Sequence, residues 1–203
     1  MDNDVQRGDP AVRGMQQIGH PVVWGGLIGV MGGAGFAFGG IAGLPEEHRG
    51  LLRGLVVALA LVALVAILVR RRVLPGVQPP KRGAMRVYWI AVVLMLACFP
   101  LTRWVANALS APGAQIALVA AVVGAHFLPF ARAFTAPIFW WIGGAMVVLG
   151  LLGAVLAVAG VSGGGPAGAL AAGAAMMVVV TVQALRAPSR RGGPATPAPA
   201  QSD

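Results

Sequence analysis

Six apolar runs, each close to the length that carries an α-helix through a bilayer, constrain this chain more than any other feature. Hydrocarbon about 30 Å thick is crossed by about 20 helical residues. The runs fall at 21–44, 54–69, 84–107, 114–131, 138–159 and 167–185. The second is short unless Leu51 and Leu52 extend it while the Arg53 stem lies along the apolar surface and its head reaches the interface. Runs this long and unbroken exclude the alternating strands of a β-barrel. The sequence therefore predicts an all-α fold, an integral membrane bundle of six transmembrane helices. Residues 1–20 form a polar N-terminal tail, 21–186 the six-helix domain, and 187–203 a Pro/Ala/Gly-rich tail expected to be disordered.

Composition fits lipid as the solvent. With 58% hydrophobic and 10% charged residues, the chain has more apolar surface than a water-soluble fold of 203 residues buries. Its 30 glycines suit helices that associate in membranes by close backbone approach. The weight of Gly, Ala, Pro and Arg points to a GC-rich bacterial genome and hence to a bacterial cell (inner) membrane. The first residues, with Asp2 and Asp4, lack the basic start and small-residue cleavage site of a secretory signal, so the first run is expected to stay as a span.

Basic residues orient the chain. Arg7, Arg13, Arg70, Arg71, Arg72, Lys81, Arg82, Arg86, Arg132, Arg186, Arg190 and Arg191 fall on one side, and Arg49, Arg53 and Arg103 on the other. Short basic loops resist translocation, which predicts both termini in the cytoplasm. The connectors are short, so consecutive helices are expected to be antiparallel neighbours. Ser110 before Pro112 and Thr135 before Pro137 read as helix starts with hydroxyl caps. Residues 45–49 read as a connector.

Few residues are available for chemistry. No Asp or Glu lies in any of the six runs, which removes the intramembrane carboxylates that proton and cation pumps use to bind and release their ions. A single cysteine, Cys98, and histidines scattered at 20, 48 and 126 give neither a disulfide nor a metal-ligand pattern, and no cofactor is expected. No nucleophile and base pair can be named, so no enzyme is expected. Nucleic-acid binding, which a pI of 11.7 would otherwise suggest, lacks a folded basic domain.

The sharpest local pattern is Gly124-Ala-His-Phe-Leu-Pro-Phe-Ala131. Proline at 129 removes a backbone donor and frees the Ala125 carbonyl near His126, giving a candidate polar notch of His126 and Pro129. One reading makes it a solute site or gate; the other makes His126 a neutral residue bonded to a neighbouring helix. The segment resembles the G-x-H-F-x-P-x-A stretch of a family of small, uncharacterised bacterial multi-pass membrane proteins. That resemblance covers one helix; it implies a bacterial membrane protein of several helices and carries over no catalytic residue.

Other residues read as structural. Gly25, Gly29 and Gly33, then Gly35, Gly39 and Gly43, form ridges at intervals of four, suited to helix packing within the monomer or in a homo-oligomer. Arg103 and Arg132 read as interface anchors, since an arginine at mid-membrane costs about 2.5–3.5 kcal/mol on insertion scales. The basic second loop offers charge to anionic lipid. Two function classes remain: a small-solute transporter or channel, and a non-catalytic scaffold or accessory protein acting through helix packing.

Overall fold

A computed structural model describes residues 11–74, 76 and 82–186. Lys81 and the 187–203 tail lie outside the described residues, as do residues 1–10 of the N-terminal tail. The structure is an all-α bundle of six helices: α1 (Pro21–Ala42), α2 (Glu46–Leu68), α3 (Ala84–Ala108), α4 (Gln115–Ala133), α5 (Ile138–Val158) and α6 (Gly164–Arg186). All six are long and apolar enough to cross a membrane.

Most boundaries fall where hydropathy places them; α2 and α6 start earlier. The first turn of α2 takes up the expected connector, because Glu46 and Glu47 favour the positive end of a helix dipole, and Arg49 Nε donates 2.8 Å to the Leu44 carbonyl. α6 starts at Gly164, where Gly165 lies against the Gly113 backbone too closely for any side chain. The tail expected at 1–20 also acquires structure. Strand β1 (Val12–Arg13) pairs antiparallel with β2 (Arg71–Arg72), and a 3-10 turn follows at Gly14–Gln17.

Packing sorts the helices by side-chain size. α1, α4, α5 and α6, rich in Gly and Ala, approach closely and form the centre. α2 leans on α1 and α6, and α3 on α4. The expectation that consecutive helices are neighbours therefore fails for α2 and α3, whose connector is long enough to let them separate. Half of the α6 span (50%) is buried in the bundle but only 11% of the α3 span, so α3 presents Leu, Val and Trp side chains to lipid.

Ser110 and Thr135 do not cap the helices that follow them. Each stands in the left-handed region, at φ 52° and 53°. Each ends the preceding helix instead: Ala111 N–H donates to the Ala106 carbonyl, and Ala136 N–H to that of Ala131. This closure normally takes glycine at the left-handed position. Thr135 is exposed and β-branched, so its backbone is strained, and among the described residues no side-chain hydrogen bond compensates. Thr135→Gly is expected to raise stability by about 1 kcal/mol in reversible unfolding from mixed micelles. A loss of stability would show that the threonine side chain has a partner.

Candidate functional site

Three polar groups of the spans are used locally. Thr102 Oγ1 donates 2.7 Å to the Phe99 carbonyl and Thr181 Oγ1 donates 2.7 Å to that of Met177, each on its own helix. His126 Nδ1 lies 2.5 Å from the Val123 carbonyl, also on its own helix. A carbonyl only accepts, so this contact places a proton on Nδ1.

Around His126, α4 builds an aromatic cluster. The imidazole lies 4.2 Å from the Phe127 ring and 5.1 Å from Phe130, measured between centroids. Phe130 stacks on Tyr88 of α3 at 5.4 Å, and Phe127 stacks on Phe139 of α5 at 5.8 Å. Residues four apart share a helix line, so His126 lies with buried Phe130, whereas Pro129 lies with Ala125 and both are exposed. The half-buried imidazole thus sits in the cluster while the proline faces outward.

Ala125 lines an apolar groove of 340 Å³ between α3, α4 and α5, with Cys98, Thr102, Ala121, Val147 and Leu151 among the other walls. Neither His126 nor Pro129 lines it. Both arginines singled out as anchors are exposed. Arg103 stands beside the exposed Trp104 near the end of α3, and the Arg132 guanidinium lies 5.0 Å over the Trp140 ring.

The α1 glycines divide by position. A β-carbon at Gly29 would lie 2.9 Å from Val180 of α6, at Gly33 2.7 Å from the Gly173 carbonyl oxygen, at Gly39 2.9 Å from Ile116 of α4, and at Gly43 2.6 Å from Pro166. At Gly25 and Gly35 it would meet nothing within 4 Å. Four of the six thus serve contacts inside the monomer, and two face away from it.

Sequence reasoning missed a basic centre built on the β1–β2 ladder. Arg70 donates 2.9 Å to the Ala184 carbonyl near the end of α6, and Arg72 reaches the Ile67 carbonyl at the end of α2 at 3.5 Å. Both are cations at helix C-termini, where the dipole favours them. Burial first, and then the charge of Arg70, push the Arg72 pKa below the ordinary guanidinium value. The run Arg70-Arg-Arg72 was visible in the sequence, but its pairing with Val12 and Arg13 had no local signal.

The chain matches no family model, no curated protein and no solved structure. Six apolar helices make it a multi-pass membrane protein, in contact with the bilayer along α2 and α3 above all.

Proposed function

We propose that this is a non-catalytic accessory protein of a bacterial inner membrane, which acts by lateral packing with membrane partners and has both termini in the cytoplasm. The observation that carries the reading is the spending of polar groups: Thr102, His126 and Thr181 each bind a carbonyl of their own helix. A solute path through the bundle would need such groups turned toward it. Outward-facing Gly25 and Gly35 leave smooth patches on α1 where a second copy or a partner helix can approach. The basic second loop would hold anionic lipid, and the asymmetry of arginines along the chain supports the orientation.

A second reading, a small-solute transporter, draws on Pro100 and Pro129, which lie inside the adjoining helices α3 and α4, and on the apolar groove between those helices and α5. Cysteine scanning in intact cells separates the two. In a Cys98→Ser background, cysteines at 125, 126 and 129 are expected to resist a small water-soluble thiol reagent, while cysteines replacing Arg71 and Arg49 react from their respective sides. Labelling at 126 comparable to the loop controls would show water at that depth and replace the packing role with transport.

A further inference from the structure

We propose that the β1–β2 ladder is a clamp for the phosphate of an anionic lipid headgroup, held between Arg13 and Arg71. This deepens the lipid contact proposed for the second loop and rests on the membrane reading, not on the packing role.

The arginines of the ladder stand in an arrangement that is unfavourable by itself. The ladder register puts Arg13 directly opposite Arg71, and both side chains are exposed. Like charges directly across an antiparallel pair destabilise it. Beneath them Arg72 is only 3% exposed, and its Nε has no hydrogen-bond partner among the described residues. Among the described residues no carboxylate relieves this charge: Glu46 and Glu47 open α2, whereas the ladder adjoins its other end. The ladder is kept closed from its inner side, where Val12 packs on the core and Arg70 and Arg72 bond the ends of α6 and α2, so the Arg13 and Arg71 charges are held together on its outer side. An anion between Arg13 and Arg71 turns the repulsion into two attractive charge-assisted contacts, and guanidinium forks match phosphate oxygens.

The neighbourhood favours a lipid over a dissolved anion. In the turn after β1, Met15 is 54% exposed, and just beyond it Ile18 is 55% exposed, immediately before α1 begins at Pro21. Apolar side chains beside an arginine pair at the start of a span suit the boundary between headgroups and acyl chains. α2 ends next to the same ladder, so the clamp sits where two spans emerge.

The test uses the full chain and its Arg13→Gln, Arg71→Gln and double variants, in neutral detergent and in phosphatidylcholine bilayers with and without phosphatidylglycerol. In neutral detergent Arg71→Gln is expected to raise the unfolding midpoint by removing the repulsion. In phosphatidylglycerol the same variant is expected to fall below the parent. Preference for phosphatidylglycerol over phosphatidylcholine, read by native mass spectrometry, should drop about fivefold in either single variant, the equivalent of ~1 kcal/mol per surface charge. The double variant should lose less than the two single losses combined, because a clamp needs both arms. An equal loss in Arg82→Gln, also exposed and on the same loop, would reduce the clamp to diffuse attraction and overturn it. So would a midpoint shift of the same sign in every medium. Inorganic phosphate in detergent reproducing the phosphatidylglycerol effect would make this a site for a dissolved anion and overturn the lipid assignment. If Asp9→Asn removes the difference between media, the chain's own carboxylate fills the role and the clamp is refuted. Failure here leaves the cysteine-labelling result intact, because that experiment probes mid-membrane positions and this one the bundle's basic end.

Discussion

Gly173→Ala is expected to destabilise the bundle by about 3 kcal/mol, at the upper end of overpacking costs, although it adds one methyl group. That methyl would stand 2.3 Å from the Gly33 carbonyl oxygen and 2.6 Å from the Ala37 nitrogen. Both are backbone atoms of a rigid helix, so no side chain can turn aside and α1 must move away from α6. In a bilayer, lipid is as apolar as the helices, and association depends on dispersion that falls off within fractions of an ångström. Separating these two helices therefore weakens most of their shared face. Gly25→Ala is the control: its β-carbon meets nothing within 4 Å, and the gain in helix propensity should leave stability unchanged or raised by up to about 1 kcal/mol. Reversible unfolding from mixed micelles reads both. Equal stabilities for the two variants would mean that α1 and α6 do not meet at Gly33 and Gly173.

The same pair shows how far the sequence could be read. Spacing by four finds small-residue ridges on α1, but it is indifferent to which ridge meets a neighbour. Partner faces come from α6 and α4, far along the chain, and they select Gly29, Gly33, Gly39 and Gly43 while leaving Gly25 and Gly35 open. The six spans were legible because length and hydropathy are local properties. Glu46 and Glu47 misled for the reverse reason, since charge marks the edge of the hydrocarbon while the hydrogen-bonded helix continues past it. Ser110 and Thr135 carry cap chemistry and lie before prolines, yet both end the helix behind them; which way a hydroxyl serves depends on backbone angles that composition does not encode. The candidate site was half visible. His126 and Pro129 are near in sequence, and the helix places one beside Phe130 and the other beside Ala125. The Arg13 and Arg71 pairing joins segments separated by two spans and left no periodic trace.

Phe130→Ala is expected to cost about 2–3 kcal/mol and to loosen α3 from the rest. Phe130 is 5% exposed, and its ring lies within 6.2 Å of His126, Tyr88, Phe127, Phe134 and Phe139. Of these, Tyr88 alone belongs to α3, a helix that rests mainly on α4. In a water-soluble core the truncation would cost about 3–5 kcal/mol. Here the transfer part is much reduced, because the separated helix is solvated by lipid, and what remains is lost ring contact and the void. A double-mutant cycle with Tyr88→Ala should show coupling of about 1 kcal/mol, since the two rings stack at 5.4 Å with an interplanar angle of 23°; additivity would place α3 elsewhere. His126→Leu tests the imidazole in the same assay. Its hydrogen bond is to its own helix, so the change should stay within about 1 kcal/mol. If Phe130→Ala is the more damaging, ring packing joins α4 to α3 and α5, and the imidazole is not the link between helices. The opposite order would mean that His126 bonds across helices and that the polar contact, not the aromatic cluster, holds this side of the bundle together.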